Sequence, residues 1–320
     1  MAYGISSGNA RTNRMTGPIH TPYDGSAKPF SIGLKPLDPA EWIEIDRHYR
    51  AQLEEKDRLI AERPDDVFAA RPDMDDAQRE VLEMVVDRLI RGHARIFPGR
   101  DEWDFLGDRL PRFQLHGSDE PPLQIAARFV QEDLVLMRRM EDGWRLAAAS
   151  LCFPSSWTLG EKFDRPLEQI HKPVPGFGPD TRMATVIRRI FDNLQPGQPV
   201  LRYNWALATD DHLYHPASEV QKTGGTPVDV PRFRSIANAF IRVERQTLTR
   251  LPVSGDILFT IRIHVDPMAA LRAHPQRAEL AAGFADQLAA LEPAHLVYKR
   301  LVADRDRLVA DLRAMAASQI

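Results

Sequence analysis

Apolar positions near the start of the chain recur at the spacing of an α-helix. Between residues 31 and 60, side chains three or four positions apart share one helical face: Trp42, Ile45, Tyr49 and Leu53. Asp38, Pro39 and Glu41 precede them in the order typical of a helix N-terminus, so we expect a helix capped at Asp38. A second apolar stripe predicts another helix over residues 73–97: Leu82, Val85, Val86, Leu89 and Ile90.

The pattern changes after residue 124, where apolar residues alternate or form short blocks. We expect a helix or strand over Val130–Met137, a turn at Asp142–Gly143, strands over 145–153, 200–208, 240–250 and 257–265, and a helix from 181 to near Gly197. Residues 210–232 predict a loop, and two helices close the chain over 267–291 and 294–316. This order favours an α+β fold with an antiparallel sheet flanked by N- and C-terminal helices.

The hairpin predicted over residues 240–265 carries many polar side chains. Because side chains alternate across a strand, Arg242, Glu244 and Gln246 share one face of the first strand with Arg250, whereas Arg245 lies on the other. In the second strand one face is apolar, and the other carries polar residues: Thr260, Arg262 and His264. If the two polar faces coincide, they form either a solvated surface or the wall of a cavity for a small charged molecule. Alternation alone leaves both interpretations open.

Composition and charge exclude several classes of protein. The formal net charge is −3, and no basic excess argues for nucleic-acid binding. No apolar run approaches the roughly 20 residues that span a bilayer, and a signal-peptide pattern is missing. With a single cysteine, Cys152, no intramolecular disulfide exists, so we expect a cytoplasmic protein without membrane attachment. Residues 1–30 predict a flexible arm, and the length of the rest of the chain allows either two domains or one large α+β domain.

His171 lies where a short helical stretch meets a proline-rich exit. Pro173 and Pro175 follow it and force an extended backbone, which holds the imidazole in a fixed position. Such a position suits a metal ligand or a haem axial ligand. A surface or hydrogen-bonded histidine fits the same pattern, so both interpretations stay open.

Other candidate residues have less support in the sequence. His212 and His215 lie three residues apart, but no further spaced ligands complete a zinc site. Cys152, between two apolar residues, is more typical of a buried side chain than of a nucleophile or thiolate ligand. Arg202 and Trp205 fit either a pocket wall or an amphipathic strand with a buried tryptophan.

Several short motifs, in this order and with these gaps, resemble the alpha subunits of haem-dependent oxidative N-demethylases, a family that includes dimethylamine monooxygenase subunits. The main motifs are CFPSSW (152–157), IHKPVP (170–175), RYNW (202–205), RVERQTLTRLP (242–252) and ILFTIR (257–262). GLKPLDPAEWIEIDRHY, VQEDLVLM and YKRL fit the same pattern, so the resemblance covers roughly residues 30–300. Each motif is weak alone, and their agreement makes the resemblance specific.

The resemblance implies a single PAS-like domain over residues 31–320, with helical extensions, that binds haem b. It also implies oxidative N-demethylation of a small secondary amine by dioxygen, with release of formaldehyde. Electrons would come from partner subunits that carry flavin and iron–sulfur centres. This chain lacks the cysteines of an iron–sulfur cluster and any flavin or nicotinamide fingerprint, so a separate reductase is implied.

The resemblance also implies roles for individual residues. His171 becomes the proximal iron ligand, and Glu244 becomes the carboxylate that holds a cationic amine. Arginines in the matching segments compete as partners of the haem propionates: Arg202, Arg242, Arg245 and Arg250. Trp205 is expected to pack on the porphyrin. Two alternatives remain: a PAS-like haem or small-ligand sensor without catalysis, and a family member that has lost haem.

Overall fold

The computed structural model describes residues 17–26, 32–97, 99–111, 118–216 and 230–318. Within them seven strands form one sheet: β1 (Lys35–Pro36), β2 (Phe68–Ala70), β3 (Asp133–Met140), β4 (Gly143–Ser150), β5 (Val200–Ala208), β6 (Phe240–Arg250) and β7 (Ile257–Pro267). Twelve helices accompany them: α1 (Tyr49–Glu62), α2 (Pro64–Val67), α3 (Asp75–Ile96), α4 (Arg100–Arg109), α5 (Pro122–Ala127), α6 (Leu159–Lys162), α7 (Leu167–Ile170), α8 (Arg182–Asn193), α9 (Met268–Arg272), α10 (Arg277–Ala289), α11 (Pro293–Lys299) and α12 (Arg305–Ala317).

The sheet has the order β1-β5-β6-β7-β3-β4-β2, and every neighbouring pair is antiparallel. This confirms the predicted α+β class with an antiparallel sheet. The long hairpin of β6 and β7 lies at its centre. The edge strands β1 and β2 have only two and three residues. Strands this short carry no measurable alternation, which is why the sequence did not predict them.

Helices cover the two faces of the sheet unequally. The N-terminal helices α1, α3 and α5 and the C-terminal helices α10 and α12 pack on one face, through apolar side chains such as Leu134, Leu258 and Val243. The other face is covered by residues 151–193, which include α6, α7 and α8. This layer is thin and interrupted, so it leaves room for a cavity. No helix among the described residues is both long and apolar enough to cross a membrane.

The predicted N-terminal helix begins later than expected. Asp38 caps only a short 3-10 helix, Pro39–Glu41, by accepting a hydrogen bond from the Ala40 N–H, and α1 begins at Tyr49. In α3, the predicted core residues are buried except at the margin of the stripe, where Val86 is half-buried and Ile90 is 48% exposed. Val86 still packs against the core cluster of the N-terminal helices.

Part of the predicted N-terminal arm is packed against the C-terminal helices. Tyr23 is fully buried and stacks on Phe284, with ring centroids 4.6 Å apart. A side chain at Gly283 would meet the Asp24 carbonyl at 2.3 Å, so this glycine lets residues 24–25 lie directly on α10. Residues 17–26 are therefore held by packing, which the polar composition of residues 1–30 did not indicate. Residues 1–16 and 27–31 lie outside the described part of the chain.

Candidate functional site

A cavity of about 1030 Å³ lies between the sheet and the layer formed by residues 151–193, and its lining extends to His20, Trp205 and Gln287. This volume is at the upper end of the range typical for small-molecule and cofactor sites. Apolar side chains from β3, β6, β7, α7 and α8 line much of it: Val135, Leu248, Ile261, Leu167 and Phe191. A strip of charged and polar side chains crosses this apolar lining.

The register of the hairpin determines which polar residues face the cavity. The six-residue turn makes Arg250 the partner of Ile257, so every even-numbered residue of β6 is paired with an odd-numbered residue of β7. Arg242 and Glu244 therefore lie beside the apolar side chains of β7 and not beside Arg262. The two polar faces do not coincide. The polar strip of β6 forms a cavity wall, and Arg262 belongs to the opposite face.

His171 is held at the cavity edge by the end of α7. Its Nδ1–H donates to the Leu167 carbonyl at 2.9 Å, and its backbone N–H donates to the same carbonyl at 3.2 Å. Since a carbonyl can only accept, this bond places the ring proton on Nδ1 and leaves the Nε2 lone pair available. Nε2 makes no hydrogen bond with a described residue.

Burial also prepares His171 for coordination. It lowers the pKa of the imidazole to about 4, and the nearby charges of Lys162 and Arg202 act in the same direction. The ring is therefore neutral at pH 7, which is the state that binds iron or zinc. A carbonyl bond on one nitrogen and a free second nitrogen are the usual arrangement of a metal-ligating histidine.

Among the cationic side chains that line the cavity, four feel the charge of the same carboxylate, Glu244: Lys162, Arg202, Arg242 and Lys299. Burial lowers the pKa of both lysines to about 8. The Lys162 ammonium lies 4.0 Å from the centre of the Trp157 ring, and the Lys299 ammonium donates to the Trp205 carbonyl at 2.5 Å. This excess of buried positive charge favours an anionic guest.

Arg202 and Arg242 differ in the hydrogen bonds that their guanidinium groups make. The Arg202 guanidinium makes no hydrogen bond within the described residues, its Nε is buried, and burial lowers its pKa. Arg242, by contrast, donates to the Ser155 hydroxyl at 2.9 Å and to the carbonyls of Phe153 and Leu213, each at 3.0 Å. Arg202 is thus free to bind a carboxylate in the cavity, whereas Arg242 fastens two loops to the sheet.

Glu244 lies on the cavity side of the central strand β6. Gln246, two residues further on the same face, donates from Nε2 to Glu244 Oε2 at 2.7 Å. Oε1 receives no hydrogen bond from a described residue. Asn204 lies opposite Glu244 on β5 and also lines the cavity. The carboxylate is therefore oriented by a neutral amide and still presents one oxygen to the cavity.

Two arginines predicted at the haem lie outside the lining of the cavity. Arg245 points to the opposite face, where its Nε is 3.1 Å from Glu44 Oε1 and its other donors meet the Glu41 and Trp42 carbonyls. Arg250, at the end of β6, lies 5.6 Å from the Trp144 ring and does not line the cavity. Neither fits the predicted role of propionate partner, because strand parity or position removes it from the site.

Trp205 also lines the cavity, and its packing on a porphyrin stays a prediction. Its indole lies on the face of β5 opposite Arg202, because the two residues are an odd number of positions apart. The indole Nε1–H donates to Gln287 Oε1 at 2.8 Å, and the ring meets the edge of Phe284. Trp205 is 5% exposed, as the interpretation of an amphipathic strand with a buried tryptophan expects.

The minor candidates behave as ordinary structural residues. Cys152 is fully buried, and burial raises the pKa of its thiol to about 12, so it is neither a thiolate ligand nor a nucleophile. His212 and His215 both contact Asp210, at 3.0 and 3.1 Å. The sequence did not predict Lys162 or Lys299 as site residues, although Lys162 precedes His171 in the same segment and Lys299 belongs to the YKRL motif. Their role depends on charges that come together only in the fold.

The site fits a haem. The apolar walls suit a porphyrin, the unpaired Arg202 and the two lysines suit its two propionates, and His171 offers a neutral nitrogen for the iron. A family model described as "Haem-dependent oxidative N-demethylase, alpha subunit-like" matches residues 33–309. Because this match covers most of the 320 residues, the chain belongs to the haem-dependent oxidative N-demethylase alpha-subunit-like family.

Proposed function

We propose that this protein catalyses the haem-dependent oxidative N-demethylation of a small secondary amine. The reaction consumes dioxygen, two electrons and two protons, and it yields the primary amine, formaldehyde and water. The observation that carries the proposal is the neutral, carbonyl-anchored His171 beside an apolar cavity with surplus cations. Haem b, when bound there, supplies the activation of dioxygen.

In this proposal the residues of the chain hold and orient the cofactor. His171 Nε2 is the iron ligand, and the Leu167 carbonyl keeps the ring in one tautomer and one orientation. Arg202, Lys162 and Lys299 take the two propionates, which offset the excess of buried positive charge. The apolar side chains of β3, β7 and α8 exclude water from the porphyrin faces.

Glu244 holds the substrate in this proposal. Once the propionates engage the neighbouring cations, its carboxylate is the remaining charge that can pair with a protonated amine. Gln246 occupies Oε2 and leaves Oε1 for the ammonium N–H. An ion pair in such a buried site fixes the position of the amine and therefore of its N-methyl carbon.

We further propose that residues 31–320 form one PAS-like haem-binding domain and that a separate reductase with flavin and iron–sulfur centres delivers the electrons. The support for a separate reductase is chemical. The only cysteine of the chain, Cys152, is buried, so no thiolate set can bind an iron–sulfur cluster.

Haem reconstitution tests the proposed function. The protein purified with haem supplied is expected to bind one haem per chain, with a sharp Soret band, and dimethylamine is expected to shift that band saturably. Absorption titration measures both. A protein that binds no haem would end the proposal, and a haem protein whose spectrum responds to no small amine would favour the sensor alternative.

Replacing each of two arginines with methionine separates cofactor binding from folding. Arg202→Met is expected to weaken haem binding about 10- to 100-fold, because a charge-assisted bond to a propionate is lost. The apo-protein should be as stable as the wild type, since an unpaired buried charge is removed. Arg242→Met should instead lower the free energy of unfolding by about 2–4 kcal/mol, because carbonyls lose their donors.

Haem titration and urea denaturation of the apo-proteins measure the two effects. Haem dimethyl ester, which has no propionate charge, is the control ligand and should bind wild type and Arg202→Met equally. Equal loss of stability in both variants would contradict the proposal that Arg202 serves haem binding and Arg242 serves folding.

The affinity for haem is expected to fall as the pH rises above about 8. Burial lowers the pKa of Lys162 and of Lys299 to about 8 from the ordinary 10.5, and a bound propionate favours the charged form. Above pH 8, haem binding therefore requires the two lysines to take up protons. As the pH rises, this protonation becomes less favourable and the affinity for haem falls. For folding of the apo-protein the sign is opposite: the cost of the buried charges is full below pH 8 and is relieved towards 10.5.

Haem titrations between pH 7 and 9.5 measure this dependence. In Lys162→Arg the side chain stays protonated, so the contribution of residue 162 to the pH dependence of haem affinity should disappear. Haem dimethyl ester should show none of this slope. An affinity of free-acid haem that is constant across this range would contradict the role of the lysines.

A further inference from the structure

Three side chains with metal-ligating atoms meet on the face of the sheet opposite the polar strip. His20 belongs to the packed N-terminal segment, Glu44 to the loop before α1, and His264 to β7. One donor atom of each lies within 4.8 Å of the other two. Glu44 Oε2 is 2.9 Å from His20 Nε2 and 3.5 Å from His264 Nε2. Three separate parts of the chain thus converge on one point.

The surrounding structure directs these atoms towards each other. The Glu44 N–H donates to Glu132 Oε1 at 3.0 Å, and Arg245 Nε lies 3.1 Å from Glu44 Oε1, which leaves Oε2 for the histidines. His20 Nδ1 lies 3.1 Å from the Tyr203 hydroxyl, so Nε2 faces the carboxylate. Such outer partners fix the ring orientation of ligating histidines.

His264 has a buried ring nitrogen, Nε2, for which the described residues offer no hydrogen-bond partner. It is 7% exposed, and its Nε2 is buried without a hydrogen bond, since 3.5 Å to Glu44 is too long for one. Buried polar atoms in native structures nearly always have a partner.

Glu44 brings a carboxylate to the same place, within 2.9 Å of His20 Nε2 and 3.5 Å of His264 Nε2. The cluster therefore combines a carboxylate with imidazoles. Because His264 lines a cavity of about 250 Å³ and His20 lines the large one, an ion can enter from solvent.

We propose that His20, Glu44 and His264 form a binding site for a divalent first-row transition metal ion, with Zn²⁺ as the ion that the donor set suits best. Around a tetrahedral zinc with bonds of about 2.0–2.1 Å, neighbouring ligands lie about 3.3 Å apart. The observed separations of 2.9 and 3.5 Å bracket that value. A water completes the fourth position, and the ion fastens residues 17–26 to the sheet.

Zinc binding to the full-length, haem-loaded protein tests this site. After chelator treatment, the wild type is expected to bind one Zn²⁺ per chain by calorimetry, with zinc counted separately from haem iron by mass spectrometry. Zn²⁺ should also raise the temperature of unfolding. His264→Gln and His20→Gln should each weaken binding by more than about 100-fold, since even outer-shell losses cost 10- to 100-fold.

His212→Gln is the matched control, because the exposed His212 and the half-buried His215 both contact Asp210 and could take up zinc there. It should leave the zinc affinity unchanged. Circular dichroism checks folding, and His20→Gln tests the site if His264→Gln fails to fold. The proposal is overturned by a wild type that binds no zinc, or by zinc binding that His212→Gln abolishes and His20→Gln leaves intact.

Discussion

A His171→Gly variant supplied with haem is expected to lose the sharp Soret band of the wild-type protein. The imidazole is the proposed iron ligand, and its loss should lower haem affinity by at least about 100-fold, more than the loss of an outer-shell partner. External imidazole should restore the band, because it can occupy the space vacated by the side chain. Absorption spectra with and without imidazole measure both effects.

The matched control for this experiment is His215→Gly. His215 also lines the cavity, but it contacts Asp210. This variant should keep the wild-type spectrum. An unchanged Soret position and intensity in His171→Gly would remove His171 as the ligand, and loss of the band in His215→Gly alone would transfer the role to that residue.

Glu244→Gln is expected to weaken binding of dimethylamine about 100-fold, which corresponds to about 3 kcal/mol. The amide preserves the shape of the side chain and the contact with Gln246, but it removes the negative charge that pairs with the ammonium. Haem binding should persist. Titration of the amine-induced spectral shift in the haem-loaded variant measures the affinity, and single-turnover formation of formaldehyde measures the consequence.

Asp210→Asn provides the control for this second variant. Asp210 is another carboxylate in the lining of the cavity, and it is already engaged by His212 and His215. The same carboxylate-to-amide change there should leave amine affinity unaltered. Equal amine affinity in Glu244→Gln and wild type would contradict the proposed role of Glu244.

The sequence predicted the frame of the fold well. Alternation located four of the five long strands of the sheet, among them its antiparallel hairpin, whereas β3 stayed open as a helix or strand. It could not place the helices on the two faces of the sheet. The N- and C-terminal helices share one face, and the layer on the other comes from residues 151–193, whose short helices have no periodicity to read.

Not every residue predicted for the site faces the cavity, and strand parity explains the difference within β6. Arg242 and Glu244 share the cavity face, whereas Arg245 alternates with them and points to the opposite face. The turn length sets the pairing of the two hairpin strands, and no property of either strand alone reveals it. Lys299, contributed by α11, joins the site only through the tertiary fold.

Single-turnover formation of formaldehyde tests the central claim most directly. The haem-loaded protein, reduced chemically and mixed with dimethylamine and dioxygen, is expected to release formaldehyde in an amount up to one per two electrons supplied. Omission of the amine or of dioxygen should abolish it. A haem-loaded protein that binds dioxygen yet yields no formaldehyde from dimethylamine or any other small secondary amine would contradict the proposed demethylation.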